Sequence, residues 1–254
     1  MPLPFSIVIP TYNEAAGIEK LLGALDATFR AHSLDGEIIV VDDNSPDGTG
    51  ALVDGLSGRY PVRTLRRAGK LGLSSAVIEG WSIARPQSVA LGAMDADFSH
   101  DPDALPKMVA ALESGKYGLA VGSRYVKGGG IANWPKRRII TSLVACWLAR
   151  PLTPVKDVTS GFFLVRRDAL AGVTLDPIGF KIGLEVIAKA RYGKATEIPY
   201  VFTDRVAGES KLNNREIVNY LRQLRRLYAA RLLPQSVEKR QASEAPQTAK
   251  APKA

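Results

Sequence analysis

Short runs of β-branched and other apolar residues alternate with helical patterns along most of the chain, and this alternation limits the possible folds more than any other feature. A run at residues 5–10 precedes a helical pattern at 15–30, and a run at 37–41 precedes a second helical pattern that begins near Gly50. Strands and helices that alternate in this way form βαβ units around a mostly parallel sheet. The sequence therefore predicts an α/β fold with a central sheet flanked by helices.

The alternation continues further along the chain without an internal repeat. Further helices are predicted near residues 73–84, 102–114 and 182–192. Further strands are predicted at residues 62–66, 89–94, 119–123, 161–165 and 196–202. Because the pattern changes after these elements, we expect one domain over residues 1–212.

The C-terminal part of the chain has a different pattern. Within residues 215–233 apolar positions recur near helical spacing, and arginines fill much of the remainder. This pattern predicts a basic amphipathic helix over residues 213–233, which fits either a membrane interface or a solvated surface. Residues 234–254 contain almost no large apolar side chain, so a disordered tail is predicted there.

Charge and cysteine content limit the partners and the environment of the chain. Its 254 residues carry a formal net charge of +9, which favours polyanions such as nucleic acid, anionic lipid headgroups or phosphorylated small molecules. The single cysteine, Cys146, excludes an intrachain disulfide, and no signal-peptide pattern opens the sequence, so a cytosolic location is expected. The longest mainly apolar stretch, residues 139–152, falls short of the roughly 20 residues that a spanning helix needs.

Carboxylate side chains follow three of the predicted strands. Glu14 follows the first strand, Asp42 and Asp43 follow the second, and Asp95 and Asp97 follow the fourth. Ligands of open α/β sheets bind in the crevice beyond the carboxyl ends of the strands. Two carboxylates two residues apart supply oxygen ligands for a hard cation at such a place. A solvated turn is the alternative explanation for a lone Asp-X-Asp sequence.

Basic side chains occur at predicted loop positions as well, namely Lys70, Arg124, Arg137, Arg138, Arg205 and Lys211. Arginine and lysine neutralise phosphate oxygens as charge builds on a leaving group, so several such residues beside a metal indicate a diphosphate site. Taken singly, each of them is also explained as surface charge. The sequence has no Walker-type loop, no Gly-x-Gly-x-x-Gly after the first strand, and no zinc-type spacing or triad partners for its two histidines.

Five segments in a fixed order carry a specific resemblance. They are Pro10-Thr11-Tyr12-Asn13-Glu14, Asp42-Asp43-Asn44-Ser45-Pro46-Asp47-Gly48-Thr49, Asp95-Ala96-Asp97-Phe98-Ser99-His100, Gly122-Ser123-Arg124-Tyr125 and Thr159-Ser160-Gly161-Phe162. Together they resemble the family 2 glycosyltransferases, and among these the dolichol-phosphate mannose synthases and their bacterial polyprenyl-phosphate relatives, over about residues 4–212. The resemblance implies a GT-A fold with a Rossmann-like sheet, a GDP-mannose-like donor, Mg or Mn, a polyprenyl phosphate acceptor and inversion at the anomeric carbon.

The resemblance also implies roles for individual residues. Those implied for donor binding are Pro10, Tyr12, Glu14, Val41, Asp43, Asp95, Ala96, Asp97, Arg124, Arg205 and Lys211. Asp95 and Asp97 are implied to bind the metal with Ser99 as a third ligand, although some relatives place a glutamine at that position. Arg138 and Ser142, one helical turn apart, resemble the site that binds the acceptor phosphate in this family.

The mechanism expected from this resemblance is a direct displacement in which an acceptor phosphate oxygen attacks the sugar carbon. The metal and the arginines stabilise the departing nucleoside diphosphate, with Asp97 and Arg124 in catalytic roles. Because a phosphate is already ionised at pH 7, the reaction needs little general-base catalysis. Asp157, the third catalytic candidate, is expected to position the acceptor or the sugar, with turn or helix capping as the alternative.

A lipid acceptor implies a peripheral position on the cytosolic face of a membrane. Segments 136–152 and 215–233 are basic and partly apolar, and we expect them to lie in the interface and to bring Arg138 to a lipid phosphate. Since family members often recruit membrane helices, a small membrane-anchoring subunit is a further expected partner.

Other functions compete with mannosyl transfer. The same loops serve UDP-sugar donors in transferases that move glucose, N-acetylglucosamine or a modified arabinose to a polyprenyl phosphate. A catalytically silent sugar-nucleotide-binding scaffold is a further alternative, but it would have no need of both Asp95 and Asp97. Nucleic-acid binding is disfavoured because the basic residues lie in carboxylate-flanked loops or in one helix, rather than among exposed aromatic residues.

Overall fold

A seven-stranded sheet forms the centre of the computed structural model, which describes residues 2–203 and 214–232. The strands of the chain are β1 (Phe5–Thr11), β2 (Gly36–Asp42), β3 (Val62–Arg66), β4 (Ala90–Ala93), β5 (Leu119–Ser123), β6 (Gly130–Ala132), β7 (Phe163–Arg166), β8 (Ala195–Pro199) and β9 (Val201–Thr203). The order across the large sheet is β3-β2-β1-β4-β7-β5-β8. All neighbouring strands in it are parallel except β7, which is antiparallel to β4 and β5. The predicted mostly parallel sheet is therefore confirmed.

The reversed direction of β7 follows from the course of the chain after β5. Phe163, the first residue of β7, pairs with Ala93 and Val121 near the carboxyl ends of β4 and β5. The chain between β5 and β7 therefore returns to the same edge of the sheet at which β5 ended. An α/β sheet with one antiparallel strand is a common arrangement.

Seven helices surround this sheet in the described ranges, and short 3-10 turns precede α4, follow α5 and follow β7. The helices are α1 (Ala15–Ala31), α2 (Thr49–Leu56), α3 (Leu73–Ser82), α4 (Leu105–Glu113), α5 (Lys136–Leu148), α6 (Ile182–Lys189) and α7 (Asn214–Leu232). Each helix predicted from apolar periodicity is present, with ends that differ by a few residues. The prediction over residues 102–114 is divided between a 3-10 turn and α4.

Side chains of the central strands alternate between two apolar layers. Phe5, Ile7 and Ile9 of β1 are buried in a layer with α1 and α4, whereas Val8 is buried on the other face with α3 and α6. This two-residue period is the geometry of a β-strand, and both faces are covered because helices lie on each side. Burial of each such side chain stabilises the fold by roughly 1.5–3 kcal/mol.

Helices α5 and α7 are joined at the C-terminal end of α5. The hydroxyl of Tyr220 donates to the carbonyl of Ala145 at 2.6 Å, and that of Tyr228 donates to the carbonyl of Leu148 at 2.5 Å. The last carbonyls of a helix have no partner within it. Side chains of α7 supply these partners, so the two helices form one unit beside the sheet.

The single strand predicted at residues 196–202 is wrong. The segment divides into β8, which belongs to the large sheet, and β9, which pairs with β6 in a separate two-stranded sheet. The division occurs at Tyr200, whose N–H donates to the carbonyl of Ser123 while its carbonyl accepts from Gly130. The glycines at 128–130 favour a turn, and for this reason the sequence does not predict β6.

Some predictions fall on parts of the chain outside the described residues. These are the donor-site roles of Arg205 and Lys211 and the disordered tail at 234–254. The helix predicted over 215–233 corresponds to α7. In the described ranges, no helix combines the length and the apolar character that crossing a membrane requires.

Candidate active site

The loops after β1 and β2 are tied together at the carboxyl edge of the sheet. Thr11 donates its hydroxyl proton to Asp42 at 2.9 Å, and the N–H of Glu14 donates to the hydroxyl of Thr49 at 3.0 Å. Asp42 also accepts from the backbone and the hydroxyl of Ser45, and its side chain is buried. Asp42 therefore organises the two loops, while Asp43 and Tyr12 lie beside them.

Asp43 is held by an arginine that the sequence analysis missed. The Arg67 guanidinium is buried, and its Nε donates to Asp43 Oδ1 at 2.6 Å while Nη2 donates to the carbonyl of Gly72 at 2.8 Å. The N–H of Gly72 donates to Asp43 Oδ2 at 3.0 Å. Arg67 follows β3 directly, at the same edge as the carboxylates, and that position was the available signal for it. The contacts fix the orientation of the Asp43 carboxylate.

Tyr12 presents an exposed aromatic ring next to this network. The Lys70 ammonium lies 3.8 Å from the centroid of the Tyr12 ring. Pro10 precedes Tyr12 at the end of β1 and is half-buried. The side chain of Val41 is fully buried in the apolar layer beside α3, so the structure does not bring it to the edge surface.

Asp95 and Asp97 follow β4 in a loop that holds a strained residue. Phe98 has a φ of 60°, a left-handed conformation that is uncommon for a bulky side chain. Ser99 is 2% exposed, and its N–H and hydroxyl both donate to Asp97 Oδ1. The Ser99 hydroxyl therefore holds the Asp97 carboxylate through a hydrogen bond. Its role as a metal ligand stays a prediction. Ala96, between the carboxylates, is buried.

His100 shapes this loop. Its Nδ1 accepts a hydrogen bond of 3.1 Å from the N–H of Asp95, and its ring stacks on Phe162 with centroids 5.2 Å apart. Burial lowers the pKa of His100, which favours the neutral imidazole that accepts at Nδ1. His100 therefore fixes the backbone that carries Asp95.

A cavity of about 230 Å³ opens beside the two carboxylates. The charged residues that line its wall are Asp95, Asp97, Arg124, Arg138, Lys181 and, from α7, Glu216. Helices α5 and α7 contribute an apolar wall that includes Val144, Ala145, Leu148, Ile217 and Leu221. The cavity therefore combines a charged end with an apolar side.

Arg124 lines the cavity, and hydrogen bonds to buried side chains hold its guanidinium in place. Nε and Nη2 donate to the two oxygens of Asp157 at 2.8 and 2.6 Å, and Nη2 also donates to Thr159 at 2.7 Å. Asp157 is fully buried and does not line the cavity. The structure therefore places Asp157 as the residue that orients Arg124, and its expected role in positioning the acceptor or the sugar stays a prediction.

Arg138 and Ser142 lie on the cavity wall one turn apart in α5, and their role in binding the acceptor phosphate stays a prediction. The Ser142 hydroxyl is 3.1 Å from the hydroxyl of Thr159, which itself contacts Arg124. This contact links the predicted acceptor residues to the predicted donor residues. Glu14 lies in the loop network of β1 and β2 rather than on the cavity wall.

Lys181 is a further residue that the sequence analysis missed, and it lies on the cavity wall. It precedes α6, and its ammonium donates to the carbonyl of Thr159 at 3.1 Å. Burial and the neighbouring charge of Arg124 lower the pKa of Lys181 to about 8. The available signal was a lysine immediately before an apolar helical pattern. Because Lys181 is far in sequence from the other motifs, the sequence does not show that it lies close to them in the fold.

The residues described do not form a complete metal cage on their own. In ranges 2–203 and 214–232, no group of three or more His, Cys, Asp or Glu side chains is placed to hold a metal ion. Asp95 and Asp97 both line the cavity, and carboxylate oxygens suit Mg²⁺ and Mn²⁺. Mg²⁺ in particular is commonly bound by one or two carboxylates together with substrate phosphates. The pair therefore fits a metal that is shared with a diphosphate.

Comparison with known proteins decides the family. The family model for glycosyl transferase family 2 matches residues 6–173. The chain belongs to this family. Residues Asp43, Asp95, Asp97, Arg124, Arg138, Ser142 and Asp157 all lie within the matched region.

Curated relatives of this glycosyltransferase have names that agree with one another. The dolichol-phosphate mannosyltransferase of Pyrococcus furiosus is 44% identical over 87% of the chain, which spans 63% of that protein. The enzyme of the same name from Saccharomyces cerevisiae is 37% identical over 90% of the chain and 88% of its own length. The polyprenol monophosphomannose synthase of Mycolicibacterium smegmatis is 39% identical over 83% of the chain and 82% of its own length.

Solved structures show the fold of this glycosyltransferase. Glucosyl-3-phosphoglycerate synthase from Mycobacterium tuberculosis, solved with Mn²⁺, UDP and its product, has a TM-score of 0.63 at 20% identity and covers 90% of this chain and 79% of that one. The mannosyltransferase PcManGT from Pyrobaculum calidifontis, solved with GDP-Man and Mn²⁺, has a TM-score of 0.60 at 18% identity and covers 91% and 64%. The predicted GT-A fold is therefore confirmed.

Proposed function

We propose that this glycosyltransferase moves mannose from GDP-mannose to a polyprenyl phosphate, with inversion at the anomeric carbon, on the cytosolic face of a membrane. The observation that carries the proposal is the cavity, in which three carboxylate and three cationic residues meet an apolar wall from α5 and α7. An acceptor with an ionised phosphate and a hydrocarbon chain likewise has a charged part and an apolar part. The names of the relatives from Pyrococcus, Saccharomyces and Mycolicibacterium support the same reaction.

The donor nucleotide is proposed to lie across the loops after β1, β2 and β3. Tyr12 offers an aromatic face to the base, and Asp43, fixed by Arg67, offers a carboxylate to base or ribose hydrogens. Pro10 and Glu14 border this region through the β1 loop, and Val41 contributes through its main chain. Arg205 and Lys211 are proposed to reach the diphosphate from the segment outside the described residues.

Asp95 and Asp97 are proposed to hold Mg²⁺ or Mn²⁺, which would supply Lewis-acid stabilisation of the diphosphate leaving group. Ser99 donates to the Asp97 carboxylate, and His100 accepts from the backbone N–H of Asp95, so the two residues fix the loop that carries both carboxylates. Arg124, which Asp157 fixes, adds positive charge where negative charge develops. A group held rigidly in this way stabilises the transition state without reorganisation during the reaction.

The acceptor phosphate is proposed to bind at Arg138 and Ser142. Its attacking oxygen is already ionised at neutral pH, so the site needs no strong general base. Asp157 cannot serve as one in this arrangement, because it is fully buried and both of its oxygens accept from Arg124. Displacement then depends on placing the attacking oxygen in line with the leaving diphosphate.

Helices α5 and α7 are proposed to lie on the membrane surface. Ile140, Leu143, Val144 and Trp147 of α5 are exposed at helical spacing, and Ile217, Val218 and Leu221 of α7 are exposed beside the cavity. Exposed basic residues on the same helices include Lys136, Arg137, Arg215 and Arg222. An apolar face next to cationic residues is the pattern of an interfacial helix on anionic lipid.

The test is transfer of labelled sugar into the lipid phase with purified protein, a short polyprenyl phosphate, Mn²⁺ or Mg²⁺ and a panel of nucleotide sugars. We expect metal-dependent transfer from GDP-mannose that Asp97→Ala abolishes. The matched control is Asp168→Ala, an exposed aspartate after β7 that does not line the cavity, with activity near wild type.

Each other outcome identifies a different function. Transfer from a UDP-sugar would replace the mannosyl proposal with a glucosyl-, N-acetylglucosaminyl- or arabinosyl-type activity. Binding of a sugar nucleotide without transfer would indicate a scaffold, or a requirement for a separate membrane-anchoring subunit. Adding such a subunit, or membranes that contain it, separates these two cases.

A further inference from the structure

An indole ring connects the two arginines of the cavity. Trp134 lies between β6 and α5, and the Arg138 guanidinium carbon is 3.8 Å from its ring centroid. The guanidinium carbon of Arg124 is 5.2 Å from the same ring. Phe202 of β9 meets the indole edge-on, with centroids 5.1 Å apart. The ring is therefore in contact with both cations and with the small sheet.

The two arginines differ in how they are fixed. Arg124 is held by Asp157 and Thr159 through its own hydrogen bonds. The guanidinium of Arg138 stacks on the Trp134 face. Stacking of a guanidinium on an aromatic face is favourable and restricts the rotamers of the arginine. Trp134 therefore transmits the fixed position of Arg124 to Arg138.

The placement of the indole itself depends on these ring contacts. No described residue accepts a hydrogen bond from its buried N–H group. Aromatic packing against Phe202, contact with the neighbouring apolar core and the two cation–π contacts locate it. A change of ring size at Trp134 should therefore alter the separation of Arg124 and Arg138.

We infer that Trp134 is a positioning residue that sets the distance between the cation on the donor diphosphate and the cation on the acceptor phosphate. The inference rests on the proposed function, in which Arg124 serves the leaving group and Arg138 serves the nucleophile. In-line displacement is sensitive to misplacement on the scale of 1 Å. A tryptophan between the two arginines would keep the attacking oxygen at its distance from the sugar carbon.

The first experiment compares Trp134→Leu and Trp134→Phe with wild type, using a short polyprenyl phosphate at varied concentration. We expect Trp134→Leu to raise KM for this acceptor about 10-fold and to lower kcat about 10-fold, with KM for the sugar nucleotide unchanged. Trp134→Phe keeps an aromatic face and should recover most of the loss. Tyr117→Leu is the matched control, because Tyr117 carries a cation–π contact with Lys116 at the opposite end of the sheet and should leave both constants unchanged.

The second experiment tests whether Trp134 acts through Arg138. Arg138→Ala is combined with Trp134→Leu, and the double variant should be no more than about 2-fold worse than Arg138→Ala alone. Losses that multiply would show independent roles and overturn the inference, as would an equal rise of both KM values. If Trp134→Leu does not fold, Trp134→Met, which fills more of the space but has no aromatic face, replaces it in the same cycle.

Calorimetric binding of the short polyprenyl phosphate separates failure of this inference from failure of the proposed function. No binding to wild-type protein would contradict the polyprenyl phosphate acceptor itself. Binding that is equally tight in wild type and Trp134→Leu, with unchanged kcat, would leave the proposed function intact and remove the role of Trp134.

Discussion

Asp157 and Arg124 form a bidentate ion pair whose two hydrogen bonds, from Nε and Nη2 of the arginine, measure 2.8 and 2.6 Å. Both side chains are buried, and the backbone N–H of Arg124 donates to the same carboxylate. Glu197 of β8 in turn accepts from the backbone N–H of Asp157 at 3.0 Å and from the hydroxyl of Ser123 at 2.8 Å. A chain of contacts from β8 therefore fixes the arginine at the cavity wall.

Replacing Asp157 by Ala should destabilise the protein strongly. Removing one partner of a buried ion pair leaves the other charge uncompensated, which costs about 3–5 kcal/mol. Urea denaturation should show this loss in the free energy of unfolding. Asp168→Ala is the matched control, since Asp168 pairs with Arg166 at the surface and should change the same quantity by less than about 1 kcal/mol. An equally small effect at Asp157 would mean that Arg124 finds another partner or water.

Replacing Ser99 by Ala should weaken metal binding without unfolding the protein. Ser99 donates two hydrogen bonds to Asp97 Oδ1, and loss of a residue that orients a metal ligand costs about 10–100-fold in metal affinity or activity. The Mn²⁺ concentration that gives half-maximal transfer should therefore rise by about 10-fold or more in Ser99→Ala. Ser82→Ala, at an exposed helix position, should leave this concentration unchanged. A lower kcat at an unchanged Mn²⁺ requirement would contradict a role in metal affinity.

The sequence pattern was sufficient to predict the alternation of strands and helices near the N-terminus. It also predicted the edge of the sheet at which the candidate site lies. Apolar residues of β1 and β2 are continuous because helices cover both faces, and the carboxylates follow directly after β2 and β4. Each of these features depends on neighbours within a few residues. For this reason the sequence alone places Asp43, Asp95 and Asp97 at one edge.

Contacts between distant segments could not be predicted in the same way. The contact of Asp157 with Arg124 joins residues 33 apart, and that of Tyr220 with Ala145 joins residues 75 apart. Neither partner carries a local signal for the other. Arg67 and Lys181 were missed because their role depends on which loops the fold brings together. The contact of Asp157 with Arg124 has no local signal for the same reason, since the sequence context of Asp157 fits a turn as well as a ligand site.

A negative charge on the exposed face of α5 should weaken membrane binding. Trp147 and Ile140 are 71% and 61% exposed, and burial of such side chains in the headgroup region favours binding. In flotation with anionic liposomes, Trp147→Glu and Ile140→Glu should each reduce the bound fraction, and raised salt should reduce it further for wild type. Gln87→Glu adds the same charge at an exposed position before β4 and should bind like wild type. Equal flotation of all variants would remove α5 from the membrane interface.

The pH dependence of stability should report the burial of Lys181. Its pKa is lowered from 10.5 to about 8, first by burial and then by Arg124, so the folded state disfavours the charged ammonium. Between pH 8 and 10.5 the folded protein holds fewer protons at this site than the unfolded chain. The contribution of this group to stability therefore rises as pH increases through that window, and it is lost again as pH falls back to about 8.

Lys181→Met removes this titration, so its free energy of unfolding relative to wild type should be most favourable below pH 8 and should decline towards pH 10.5. Urea denaturation at several pH values, without metal or nucleotide, measures the difference. Lys107→Met, at an exposed position of α4, is the control and should follow the wild-type pH profile. A constant difference between Lys181→Met and wild type would show that the Lys181 ammonium is no harder to charge in the folded protein than in the unfolded chain.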